Sequence, residues 1–223
     1  MLCSNGIKPV VEELVPEFER TTSHKVNITY GVSASLARQI DAGEPFDVAI
    51  LTASLIDEAV AHARIQRGST SELARSPMAL GIKHGRSKPA IGSVDGLKSA
   101  LRGAASIAYA REGASAPFFT QTLRGLGLTD EIASRIRLTD NGAQAASMVA
   151  RGEADLCVLP ASEILPVAGL DILGPFPGDV KGYLVMVAGI GVHARQPAAA
   201  ASFIGFLQSP AAIPVLGRKG MER

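Results

Sequence analysis

The sequence has no tryptophan, only 4% aromatic residues and just two cysteines among its 223 residues. So few aromatic faces leave little material for the stacking platforms that hold sugars or unpaired bases, and sugar binding is disfavoured. Cys3 and Cys157 form no C-x-x-C and have no His/Cys cluster around them, so neither a zinc site nor a redox pair is signalled. Two free thiols at strand ends are expected. No apolar stretch approaches the roughly 20 residues that span a bilayer, so no membrane insertion is expected. Charge of one sign is also missing, since 22 Lys and Arg stand against 21 Asp and Glu for a formal charge of +1. With no Lys/Arg run either, no nucleic-acid partner is expected, and an anion must be caught by a local site rather than by a general field.

Familiar catalytic signatures are absent. There is no G-x-S-x-G, no H-E-x-x-H and no P-loop. The four histidines, His24, His62, His84 and His193, are scattered and read as surface or loop residues. The glycines of Gly125-Leu126-Gly127 look like helix caps. No cofactor or metal is expected. At the start, residues 1–6 have room for neither the basic nor the apolar region of a secretory signal, so a cytoplasmic chain is expected if Met1 is the true start. Leu2-Cys3-Ser4 also reads like the end of a strand, and a mature or truncated form of a longer precursor would be periplasmic.

What is present is an apolar, alternating chain. Hydrophobic residues make up 47% and mean hydropathy is +0.21, enough for a sizeable core in one large domain or two small ones. Leu2–Ser4, Lys25–Tyr30, Asp47–Leu51, Ser106–Ala110 and Asp155–Leu159 read as strands. Helical spacing joins Val10, Val11, Leu14 and Phe18, then Leu36 and Ile40, Phe118 and Leu123, Ala146 and Val149, and Phe203 and Leu207. Pro9 suits a first helical turn, whereas Pro16 is expected to kink or break the first helix. Strands alternating with helices predict an α/β fold with mostly parallel sheets. Strand-like segments at 78–83 and 183–188 are candidate crossings, which would divide the chain into one discontinuous lobe, 1–78 plus 186–223, and a second, 79–185.

Small polar residues fall where such a fold binds ligands. Ser4-Asn5-Gly6, then 31–35 with Ser33, Ala34 and Ser35, then Glu112 to Ser115, then Asp140-Asn141-Gly142 each follow a strand and precede a helix. Helix starts leave backbone N–H groups unpaired and carry partial positive charge, so such turns hold an anion without a basic side chain. In an open parallel sheet they gather at the carboxyl ends of the strands. Asn141 with Gln144 also reads as a capping box. Arg111 beside the third helix start suits a bidentate carboxylate contact or an ion pair with Glu112. Arg38, Arg75, Lys181 and Tyr183 are further candidates near the turns or crossings.

Residues 30–50, together with Met148–Pro160 and Phe203–Ala212, resemble periplasmic molybdate-binding proteins of the type II solute-binding fold. The resemblance implies a two-lobed α/β protein with helices on both sheet faces, a small anion held in the cleft by Ser4, Ser33, Ser115 and Gly142, and an ABC permease as partner. The family's later Tyr position is Pro160 here, which removes one donor to a tetrahedral oxyanion; Arg111 and Arg75 would suit a carboxylate instead. Aconitate isomerase resembles the same family, so the alternative to a solute receptor is a cofactor-independent isomerase of an unsaturated tricarboxylate, with Glu112 or Tyr183 as base. A DNA-linked effector domain would need a helix-turn-helix for which the chain has no residues to spare.

Overall fold

The computed structural model describes residues 1–223, which divide into two compact units, Met1–Arg75 with Val185–Arg223, and Ser76–Leu184. In the first, β1 (Leu2–Ser4) leads to α1 (Lys8–Thr21), β2 (Thr29–Gly31) to α2 (Ser33–Asp41), and β3 (Val48–Thr52) to α3 (Ala53–Ala61). The long β4 (Ser71–Lys83) then carries the chain into the second unit. That unit contains α4 (Val94–Gly103), β5 (Ile107–Ala110), α5 (Ser115–Leu126), α6 (Thr129–Ile132), β6 (Ile136–Thr139), α7 (Gly142–Arg151), β7 (Leu156–Pro160), α8 (Ala161–Ile164) and β8 (Leu170–Pro175). The return strand β9 (Tyr183–Ile190) brings it back to α9 (Pro197–Leu207) and α10 (Ala212–Arg218).

In the first unit β1 pairs in parallel with both β2 and β3, and β9 joins β3 antiparallel. In the second, β5 pairs in parallel with β6 and β7, while β4 runs antiparallel to β7 and β8. Each unit is thus a parallel three-stranded block with antiparallel additions, so the turns after its parallel strands share one edge. This is a mixed α/β fold.

Each block is buried by the apolar stripes of its helices. Leu36 and Ile40 of α2 pack with Ala49 and Leu51 of β3 and Ile56 of α3, and Phe119 and Leu123 of α5 pack with Tyr109 of β5 and Val158 of β7. Phe119, rather than Phe118, is the fully buried ring of α5; Phe118 is half-buried at the edge of that cluster.

Several expectations need correction. α1 runs unbroken through Pro16. Pro16 lies on the exposed side, where water can satisfy the carbonyl that loses its partner, and the opposite face is anchored by Phe18 packed edge-on to Phe203 at 4.9 Å. The expected strand at 25–30 shrinks to Thr29–Gly31, because β1 offers only Leu2, Cys3 and Ser4 as register partners. The two free thiols lie within β1 and β7 rather than at strand ends. Their burial pushes both up to about 12, so they stay protonated and unreactive near neutrality.

Candidate functional site

In the first unit the strand-end turns bring two hydroxyls together. Ser4 caps a short 3-10 turn, and its Oγ accepts from the Gly6 N–H at 3.2 Å. Ser33, the first residue of α2, donates its hydroxyl to the same Oγ at 2.7 Å. Both side chains are buried, at 5% and 8% exposure, so the pair is held in one geometry. With both acceptor positions of Ser4 filled, its own proton is left to donate to an acceptor that is not part of this pair. The N-terminal residue of α2 receives no side-chain cap, so the N–H groups of Ser33 and Ala34 stay available, as helix starts leave them. Ser35 is different: its N–H is spent on the Val32 carbonyl. Asn5 is exposed and Gly6 buried. Thr52, opening α3 at the end of β3, belongs to the same edge and has no side-chain cap bond; the run 47–51 gave the strand but not this turn.

In the second unit the turns after β5, β6 and β7 share an edge. Ser115 is buried at the start of α5, which also lacks a side-chain cap. Arg111 and Glu112 are both exposed and form no ion pair with each other; the Arg111 backbone is tied by its N–H to the Thr139 carbonyl at 2.8 Å. The capping box at α7 is present, with Asn141 Oδ1 accepting from the Gln144 N–H at 3.0 Å and Gln144 Oε1 accepting from the Asp140 N–H at 2.9 Å. This box satisfies the third N–H of the helix and leaves those of Gly142 and Ala143 pointing out of its start.

The residue that sequence reasoning missed is Glu163. It lies on α8, just past β7, and its carboxyl reaches the start of α7, where any side chain at Gly142 would collide with it. No hydrogen bond or ion pair holds it. The residue is intermediate in exposure, and partial burial with no neighbouring charge to offset it pushes its carboxyl up to about 7. The neighbouring Ser162 Oγ is also buried without a partner. The signal is in the sequence: Ala161-Ser162-Glu163 is one more small polar turn after a buried strand.

The remaining candidates are placed elsewhere. Arg75 is engaged with Glu222 at 3.2 Å and with the Arg223 carbonyl at 3.0 Å, both within the first unit. Arg38 lies in the last turn of α2, away from the helix start. Tyr183 is 43% exposed at the beginning of β9. The histidines are exposed, and His62 and His84 face Asp41 and Asp171 at 3.2 and 3.1 Å.

These turns can be set beside known proteins. The profile of the bacterial extracellular solute-binding proteins matches residues 1–222. The chain belongs to this family. A relative from Pseudomonas sp., aconitate isomerase, is 27% identical over 228 residues, covering 100% of this chain and 86% of that protein. The molybdate-binding protein ModA of Azotobacter vinelandii is likewise 27% identical, over 94% of this chain and 84% of that protein. The solved structure of the Azotobacter vinelandii periplasmic molybdate-binding protein superposes with a TM-score of 0.79 at 25% identity, covering 100% and 97% of the two chains. The fold is therefore that of type II periplasmic binding proteins.

Proposed function

We propose that this chain binds a small organic carboxylate or oxyanion through its strand-end turns, as the solute receptor of an ABC-type transporter acting outside the cytoplasmic membrane. The observation that carries this reading is the buried Ser4–Ser33 hydroxyl pair, set at the ends of two parallel strands and beside two helix starts. Ser115, Asn141 and Gly142 supply the equivalent turns of the second unit. Ser and backbone donors at helix starts bind an anion by directed hydrogen bonds, which suits a chain whose charges nearly cancel. The family membership and the molybdate-binding relative support a receptor, with a permease as partner.

A second reading is favoured by Glu163 and by the full-length similarity to aconitate isomerase: a cofactor-independent isomerase of an unsaturated tricarboxylate. Glu112 and Tyr183 are both exposed, whereas Glu163 is partly buried with its carboxyl against Gly142 at the start of α7. A thermal-shift screen of molybdate, tungstate, sulfate, phosphate, citrate and both aconitate isomers tests the common core of the two readings, because a ligand bound only by the folded state raises its melting temperature. At least one of these anions is expected to stabilise the chain. If none does at millimolar concentration, anion binding is wrong.

A further inference from the structure

A carboxyl group with no partner at the positive end of a helix is an odd component for a site that only holds anions. If ionised, Glu163 repels an incoming anion from the α7 start; if protonated, it donates to one. A dead-end receptor for a permanently charged oxyanion gains nothing from a group that switches between the two. A site that moves protons does.

We propose that Glu163 is the proton-transfer residue of this site and that the ligand class is an unsaturated carboxylate with an allylic C–H. This rests on the anion-binding reading and goes beyond it by assigning the base. In the step, ionised Glu163 takes a proton from the CH₂ carbon next to the double bond. The C–H electron pair becomes a new double bond to the central carbon, and the old double-bond pair takes the proton back from Glu163 at the far carbon. Nothing is oxidised or reduced, and no co-reactant enters. Helix-start N–H groups, here those of Gly142 and Ala143, stabilise negative charge such as that delocalised onto a ligand carboxylate as the proton leaves.

No neighbouring charge contributes to the raised Glu163 carboxyl. β7 presents Cys157, whose thiol burial keeps protonated. The only charged residue of α7, Arg151, lies at the far end of that helix and is bonded to Glu153. Asp171 on β8 is engaged with His84 and Lys88. The start of α7 contributes Asn141 and Gln144, both neutral and both used in the capping box, and just before them the exposed Asp140, whose carboxylate accepts from Gln144 Nε2 at 3.4 Å. A base that titrates near the working pH combines a usable ionised fraction with a real drive for proton transfer.

The test incubates the full chain with cis- and trans-aconitate in D₂O, followed by proton NMR, with melting temperatures read in parallel. Wild type is expected to be stabilised by an aconitate and to incorporate deuterium or interconvert the isomers, at a rate that rises through pH about 7 and then levels. Glu163→Gln should keep the ligand-induced thermal shift and lose exchange by about 100-fold or more; Glu163→Asp, which keeps the carboxylate but shortens its reach, should retain part of the rate. Stabilisation of wild type without exchange overturns the inference, as does Glu163→Gln exchanging at the wild-type rate or a rate indifferent to pH. Stabilisation by molybdate or sulfate alone overturns it while leaving the receptor reading intact. No stabilisation by any anion overturns both.

Discussion

At the scale of single residues, two side chains decide the account. Ser33 joins its hydroxyl to Ser4 in a buried pair, so Ser33→Ala removes one donor and leaves Ser4 Oγ with a single intramolecular partner. We predict a loss in affinity for the bound anion of about 1 to 2 kcal/mol, or 5- to 30-fold, measured by titration calorimetry, with little change in the fold. Glu163 works on stability as well as on chemistry. Burial raises its carboxyl to about 7 in the folded chain, whereas the unfolded chain ionises it at the ordinary value of 4.5. The folded state is therefore at its most stable with respect to this group below about pH 4.5, and it loses stability as pH rises towards 7. Glu163→Gln, which never ionises, should gain on wild type across that interval, reaching no more than about 3 kcal/mol above pH 7. Urea unfolding of the two proteins at pH 4.5 and pH 8 checks it, and an equal gap at both pH values contradicts it.

At the scale of elements, helix starts and strand ends explain both what could be read from the chain and what could not. The strands at 48–52, 107–110 and 156–160 were legible because each is a short apolar run bounded by turn residues. The helix over 142–151 was legible from its capping box and its Ala146–Val149 stripe. β6 and β8 were not, because Ile136–Thr139 and Leu170–Pro175 are only partly apolar and owe their extended form to β5 and β4 beside them. Segment 25–28 failed the other way: its alternation is strand-like, but β1 is too short to pair with it. Pro16 shows tertiary packing overriding propensity, since α1 keeps its path through a residue that cannot donate the helical hydrogen bond. Pro16→Ala should accordingly stabilise the chain by about 1 to 3 kcal/mol in denaturant unfolding. At the start of α7, Gly142→Ala pushes a methyl group into the Glu163 carboxyl. That variant should melt at a lower temperature and bind the anion more weakly, and wild-type melting and affinity in the Gly142→Ala protein would show that the carboxyl is not seated there.

At the scale of the whole molecule, the position of small polar residues at strand-to-helix turns within each unit was legible from spacing, because a parallel sheet puts every such turn of a block on one edge. Ser4, Ser33, Ser115 and Gly142 all stand at such turns. Arg75 could not be judged this way: its partner Glu222 is 147 residues distant in sequence, and only the folded chain brings the two together. The turn that carries Glu163 was legible from its small polar residues, but the contact of the Glu163 carboxyl with the α7 start was not, since that contact is made only in the folded chain. Near-balanced charge adds an expectation for the intact protein. With a formal charge of +1, affinity for the anion should weaken little between about 50 and 200 mM salt, because the donors are local hydrogen bonds and not a screened field.

The central claim is that the strand-end turns bind a small anion. The most direct measurement is titration calorimetry of the full chain with molybdate, sulfate, citrate and both aconitates, run in parallel on wild type and Ser33→Ala. The account predicts saturable heat with one stoichiometric equivalent of at least one of these anions, and a roughly 5- to 30-fold weaker constant for the variant. An absence of heat with all of them, or a ligand that binds both proteins equally well, contradicts it.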